Sequence, residues 1–177
     1  TIPIANVTYP STRTEVTGTE LVTNGTFDTD TTGWALSFGA VDGTFNSVAG
    51  VGTYTVGSGD GAAPRVLTTI PDLTVGAVYK ISFQEAGATG GGDRYAVWTN
   101  LSSGVGGSTL NQVPGSGWTT ETKTYYLTAT ATTMYFGFGF AGASAGQTGG
   151  IDNVSVKEVT PLAVSFGFKG LATYADT

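Results

Sequence analysis

Met134-Tyr135-Phe136-Gly137-Phe138-Gly139-Phe140-Ala141 is the stretch that decides the fold. Met134, Phe136, Phe138 and Phe140 take every second position, and Tyr135, Gly137 and Gly139 fill those between. Successive side chains of a strand point to opposite faces, so one face here belongs in a core and the other is nearly bare. A helix would scatter the same rings around its circumference, and each interior glycine would cost it about 1 kcal/mol. Outward from this stretch the period of two recurs. In 77–86, Tyr79, Ile81 and Phe83 oppose Lys80, Ser82 and Gln84; in 123–128, Tyr125 and Leu127 oppose Thr124 and Tyr126. Further strands are expected at 19–24, 34–41, 51–56, 64–70, 93–101 and 151–158. Turn clusters separate them: Asp42-Gly43, Gly57 to Gly61, Gly90 to Asp93, Gly104 to Gly107 and Pro114 to Gly117. Many short strands at intervals of about 8–14 residues predict an all-β fold, an antiparallel β-sandwich. No crossover helices can be found, which disfavours a parallel α/β fold.

Composition narrows the chemistry. The 177 residues contain no His and no Cys, so Ser-His-Asp and Cys-His catalysis, disulfides and His/Cys metal sites are excluded. Net charge is −6. The cations, Arg13, Arg65, Lys80, Arg94, Lys123, Lys157 and Lys169, are scattered, which argues against a nucleic-acid surface. No apolar run reaches the ~18 residues of a membrane span. The chain opens on Thr1, which predicts removal of an initiator or leader.

Three segments are expected. Residues 1–18, with Pro3 and Pro10, read as an extended N-terminal arm; 19–158 form the sandwich; 159–177 carry an extra C-terminal strand, with Leu162, Val164, Phe166 and Phe168 on one face. An apolar strand of that kind needs a cover, from the sandwich, another chain or a further domain. Gly142 to Gly150 reads as a loop of small residues. Gly90-Gly91-Gly92 lacks the Gly-Lys-Ser/Thr ending of a phosphate loop and reads as a hairpin loop.

Two motifs bracket the central segment: Glu20-Leu21-Val22-Thr23-Asn24-Gly25-Thr26-Phe27-Asp28 with Gly33-Trp34, and Gly150-Ile151-Asp152-Asn153-Val154-Ser155-Val156. With Tyr79-Lys80-Ile81-Ser82-Phe83, Gly117-Trp118 and Tyr125-Tyr126-Leu127-Thr128-Ala129, they resemble the jelly-roll carbohydrate-binding modules of families four, nine and twenty-two. The resemblance covers about four-fifths of the chain and stops near Glu158. It implies opening and closing strands side by side, a ligand cleft on a concave sheet, and a structural calcium ion held by Asp28 and Asp152. The same module type occurs in bacteriophage tail, fibre and capsid-surface proteins. The residues themselves add detail. Asn24-Gly25 suits a tight turn, and Phe27 and Trp34 would close one end of the core. Ile151 is out of phase with Val154 and Val156, which predicts a bulge at Asp152-Asn153.

Alternation turns Lys80, Gln84, Arg94, Trp98, Asn100 and Tyr126 outward. A flat ring with amide and guanidinium neighbours is what sugar recognition needs, so these six form the expected ligand groove. The competing expectation is that Trp98 lies under loops, the arm or another subunit. For Asp28 and Asp152 the alternative to calcium is a turn and a bulge cap, with no cofactor. Glu20, Glu85, Glu121 and Glu158 are carboxylates that nothing in the sequence pairs as glycosidase chemistry requires, and each reads as a solvated charge.

The functional expectation is a non-enzymatic virion surface structural protein (a bacteriophage decoration, head-fibre or tail protein) able to touch cell-surface glycans. Residues 1–18 and 161–177 would contact other virion proteins or copies of the chain, with no nucleic acid and no membrane insertion. The alternatives are a carbohydrate-binding module of a secreted polysaccharide-degrading enzyme, or a bacterial adhesin.

Overall fold

The computed structural model describes residues 16–61, 63–89, 94–100, 108–113, 122–141 and 144–160, with 86–89, 94–100 and 108–113 described by strand pairing. They form two antiparallel sheets, and no helix occurs among them. The first sheet is built around its longest strand, β11 (Thr148–Thr160). β11 pairs with β6 (Val78–Thr89) along one side. Along the other it pairs with β4 (Val51–Thr55) and then β1 (Val16–Thr17). β3 (Thr44–Val48) extends beyond β4, and β9 (Thr122–Thr128) beyond β6. The second sheet centres on β10 (Met134–Ala141), with β5 (Arg65–Ile70) and β2 (Trp34–Ser37) on one side and β7 (Arg94–Asn100) and β8 (Ser108–Val113) on the other.

The core lies between the sheets. β10 buries Met134, Phe136, Phe138 and Phe140; β6 answers with Tyr79, Ile81 and Phe83; β11 adds Ile151, Val154 and Val156. Each buried ring or aliphatic chain is worth about 1.5–3 kcal/mol. Phe27 and Trp34 close one end, their ring centroids 5.1 Å apart, with Phe45 edge-on to Phe27 at 5.7 Å.

The opening and closing segments do lie together. Gly18 and Leu21 donate backbone N–H bonds to the carbonyls of Glu158 and Val156, and Val154 donates to Gly25. Glu20 reinforces this seam. Its Oε1 accepts the N–H groups of Leu21, Val22 and Val156 at 3.1, 3.0 and 2.8 Å, and its Oε2 accepts the Ser155 hydroxyl at 2.6 Å. The segment 19–24 is therefore not a strand, although a strand is expected there: it turns over Asn24, whose φ is 53°. Gly25 follows because any Cβ there would overlap the Val154 carbonyl. The bulge also exists. β11 advances from Asp152 to Ser155 while β6 moves only from Gln84 to Ser82, and Asn153 takes a φ of 51°.

Several boundaries move. Val16 and Thr17, inside the expected arm, pair with Thr160 and Val159, so β11 runs two residues past Glu158. Thr148, Gly149 and Gly150 are strand rather than loop, because β4 and β6 bond their backbone from both sides and side chains are not required. β3 and β8 were not foreseen: their sequences, Thr-Phe-Asn-Ser-Val and Ser-Thr-Leu-Asn-Gln-Val, lie at sheet edges and carry little apolar signal. The expected features at 1–15, 90–93, 101–107, 114–121 (Trp118 and Glu121 included), 142–143 and 161–177 lie outside the described residues.

Candidate functional site

The expected six-residue groove divides in two. Lys80, Gln84 and Tyr126 share the outer face of the β11 sheet, because β9 pairs with β6. Arg94, Trp98 and Asn100 belong to β7, which pairs with β10 and β8 in the other sheet. β6 and β7 belong to different sheets, so the core separates the two sets.

On the β11 sheet the polar side chains are engaged with one another. Asn153 Nδ2 donates to Gln84 Oε1 at 2.7 Å, and Gln84 Nε2 donates to Thr122 Oγ1 at 3.2 Å. Lys80 Nζ stands 5.9 Å from the centroid of the exposed Tyr126 ring, and Lys157 Nζ lies 3.8 Å from Glu20.

The β10 sheet has a different outer face. One cross-strand row aligns Ser37, Arg65, Gly139, Ala96 and Gln112. The next aligns Ala35, Leu67, Gly137, Trp98 and Thr109. Beyond these come Thr69, Tyr135 and Asn100 at one end, and Ala141 with Arg94 at the other. The central strand carries glycine where the flanking strands carry side chains, and those neighbours close over it. A Cβ at Gly137 would overlap Leu67, whose side chain lies across the strand, and one at Gly139 would overlap the Pro64 carbonyl. Gly137 and Gly139 are therefore buried, with Arg65 and Leu67 on β5 and the positions of Arg94 and Trp98 on β7 to either side.

A loop latch sets one end of this face. Asp60 Oδ1 accepts the N–H groups of Val41, Asp42 and Gly43 at 2.6, 3.1 and 3.1 Å. Its Oδ2 accepts Gly57 N–H at 2.8 Å and the Tyr54 hydroxyl. Burial pushes Asp60 upward, but the Tyr54 hydroxyl and these N–H groups outweigh it and hold the carboxyl well below the usual carboxylate range. Burial, then the bond to Asp60, drives the Tyr54 phenol far above its ordinary value. The latched loop begins at Phe38, and the Arg65 guanidinium sits 4.4 Å from the centroid of that ring. Burial lowers Arg65 somewhat.

Arg65 and Tyr135 were missed as site residues. Tyr135 was legible from the alternation that sets it with Gly137 and Gly139. Arg65 had no signal, because its place depends on the β5–β10 register.

The expected calcium pair is close enough to interact. Asp152 is raised by burial first, lowered by the Asn153 N–H, and raised again by the charge of Asp28. Calcium takes about 6–8 oxygens, so backbone carbonyls would have to supply most of them beside these two carboxylates. Both Asp152 oxygens already accept bonds from Asn153, at 2.7 and 2.9 Å, and Asp28 Oδ2 accepts the Thr26 hydroxyl at 2.7 Å. Among the described residues no group of three or more His, Cys, Asp or Glu side chains could hold a metal.

Of the expected solvated carboxylates, Glu20 and Glu158 are exposed and Glu85 is not. Glu20 is spent on the seam. Glu85 is buried, because it continues the inward face of Ile81 and Phe83, and its charge adds to the burial that raises the Tyr125 phenol. Glu158 is exposed, with the Tyr79 hydroxyl 3.4 Å away.

No protein-family model and no curated protein matches the sequence. Solved structures do match in fold. A family-four carbohydrate-binding module aligns with a TM-score of 0.53 at 16% identity, over 71% of this chain and 94% of its own. The N-terminal cellulose-binding domain of a β-1,4-glucanase from Cellulomonas fimi aligns at 0.52 and 21% identity, over 79% and 97%. The enzymatically active domain of tailspike protein 4 from bacteriophage CBA120 aligns at 0.51 and 18% identity, over 78% of this chain but 21% of its own. The fold is a jelly roll of the carbohydrate-binding-module type. No helix among the described residues is long and apolar enough to cross a membrane.

Proposed function

We propose that the chain is a non-enzymatic glycan-binding module whose ligand lies along the outer face of the β10 sheet. The observation that carries this reading is the set of positions on this face: Leu67 and Arg65 on β5 and Trp98 on β7 in register with Gly137 and Gly139, and Tyr135 next along β10. A sugar ring needs a flat apolar surface for its C–H face and planar hydrogen-bonding groups for its hydroxyls. In this reading Trp98 and Tyr135 supply the first, and Arg65, Arg94 and Asn100 the second. Lys80, Gln84 and Tyr126 stand outside it. The fold likeness to a cellulose-binding domain supports the reading and suits a protein that works outside the cell. Affinity electrophoresis against a panel of soluble polysaccharides tests it: Trp98→Ala should abolish the retardation that the unaltered chain shows, with an unchanged melting temperature. Retention of binding by this variant would remove the ligand from this face.

The finer setting we propose is the surface of a phage particle, with a module of a secreted polysaccharide-degrading enzyme as the other reading. Two observations favour the particle. β1 and the end of β11 pair, so the chain enters and leaves the sandwich side by side, as a projecting module needs. The tailspike likeness is the second. Contacts to virion partners through 1–18 and 161–177 belong to the same proposal. Co-sedimentation of the full chain with phage particles tests it, and loss of co-sedimentation on removing either segment is the expected result.

We also propose that the corner at Asp28 and Asp152 closes without a metal. Asn153 occupies Asp152 through both its backbone and its side-chain nitrogen. Melting temperatures in EDTA and in millimolar calcium should coincide; a clear rise with calcium would restore the ion.

A further inference from the structure

We infer that two copies of this chain associate side by side through the outer edge of β3, and that this contact joins their β11 sheets. The inference goes beyond the proposed function and needs no ligand. β3 (Thr44–Val48) is the edge of its sheet: it pairs with β4, and among the described residues no strand bonds its other side. The hairpin fixes which groups that edge presents. Val48 pairs with Val51 across Ala49 and Gly50, whose φ values are 52° and 79°, as a two-residue type I′ turn requires. The pair beside such a turn exchanges two hydrogen bonds, and bonded and non-bonded pairs alternate from there. Val48, Asn46 and Thr44 therefore bond β4, while Phe45 and Ser47 turn their N–H and C=O groups outward. An open edge invites another strand, and proteins guard it with lysine, proline or a bulge. β3 has none of these, whereas β9, at the far edge of the same sheet, carries Lys123.

A second copy fits this edge in register. Set antiparallel about a two-fold axis at Asn46, Phe45 lies opposite Ser47 of the second copy. Their outward groups exchange two hydrogen bonds, and symmetry makes the pair of bonds twofold. Asn46, exposed on the outer face, then meets its own counterpart, and Thr44 meets Val48 of the second copy. No like charges face each other, and charge is what holds identical copies apart: the chain carries −6. From Gly33 to Gly59 the sequence has one charged residue, Asp42, whose oxygens accept Gly59 N–H at 2.8 Å and the Ser58 hydroxyl at 3.0 Å. The same side of the sandwich is rich in exposed apolar groups. β2 is the edge of the other sheet and lies beside β3, with Trp34 6.3 Å from Phe45 between ring centroids. Four of the six exposed large hydrophobics among the described residues, Leu36, Phe38, Val41 and Val48, fall on β2, on β3 or between them. One short strand per copy buries less than the about 1,200 Å² of a standard interface, so the dimer is weak and concentration-dependent.

The experiment uses the full chain in sedimentation equilibrium over a range of concentrations, with no glycan present. A reversible monomer–dimer equilibrium is expected, and it closes at two because each copy offers the same surface. Asn46→Lys sets two like charges against each other across the axis. It should weaken the dimer about tenfold or more, with an unchanged melting temperature. Val48→Lys, which gives the edge the lysine it lacks, serves if Asn46→Lys fails to fold. Thr124→Lys, on the exposed face of β9, should leave the dimer within about twofold. Covalent capture locates the axis. The chain has no cysteine, and the Cα atoms of a non-bonded antiparallel pair lie about 4.5 Å apart, within disulfide reach. Asn46→Cys should therefore give a disulfide-linked dimer under mild oxidation, and Thr124→Cys should not. A monomer at every concentration would overturn the inference. So would a dimer indifferent to Asn46→Lys, growth past two copies, or equal capture from Thr124→Cys. Each of these outcomes leaves the glycan reading standing, because polysaccharide retardation is measured separately.

Discussion

The two outer faces of the sandwich come from the same kind of strand and end in different states. On the β11 sheet several polar groups have found neighbours: Asn153 with Gln84, Gln84 with Thr122, Lys80 with Tyr126, Glu20 with the seam and Lys157. On the β10 sheet the central strand presents glycine, and the flanking strands bring guanidinium and aromatic positions without a carboxylate. A face that satisfies its own hydrogen bonds gains little from a ligand. The proposed ligand is therefore placed on the other. Outward alternation alone does not separate the two, because it assigns both sets to solvent equally.

The largest effect expected is at the glycines themselves. Gly139→Ala would press a methyl group into the Pro64 carbonyl and against Arg65 Cα, which are backbone atoms that cannot swing aside. It should cost about 3 kcal/mol in urea denaturation, the upper part of the range for overpacking. A neutral result would mean that glycine stands there by accident of composition, and the contrast between faces would lose its structural basis.

Next comes the latch. Asp60→Asn loses the charge that gathers the Val41, Asp42, Gly43 and Gly57 N–H groups and should cost about 2–3 kcal/mol at neutral pH. The folded Asp60 titrates below its unfolded value of about 3.9. Its contribution is therefore complete above that value and is lost as pH falls toward the folded one. The unaltered chain should lose stability between about pH 5 and pH 2 more steeply than the variant. Parallel acid profiles would move the latch from Asp60 to the loop backbone alone.

The smallest effect sharpens the comparison. Tyr126 is 53% exposed on the self-satisfied face, so Tyr126→Ala should shift stability by less than about 0.5 kcal/mol and leave polysaccharide binding as it was. Loss of binding would bring the β11 sheet back as a ligand face.

Much of this was legible in the residues. Met134 to Phe140 and Tyr79 to Phe83 announced two inward faces, and the phase slip between Ile151 and Val154 announced a bulge. These are local facts, because side-chain direction in a strand follows from backbone geometry within a few residues. Asn24-Gly25 was local as well. β3 and β8 escaped because an edge strand buries little and needs no apolar rhythm. Glu85 misled for the reason that charged residues usually prefer water; it was carried inward by the phase of its strand.

The primary structure by itself determined the strand rhythm, the absence of histidine and cysteine chemistry, and the pairing of the opening and closing motifs. The assignment of each strand to a sheet was decided only in three dimensions. It depended on whether the link after Thr89 turned back in its own sheet or crossed to the other, and alternation carries no information on that choice. Hydrogen-bond register among distant segments settled it, bringing Arg65 and Trp98 to one face and sending Lys80, Gln84 and Tyr126 to the opposite one.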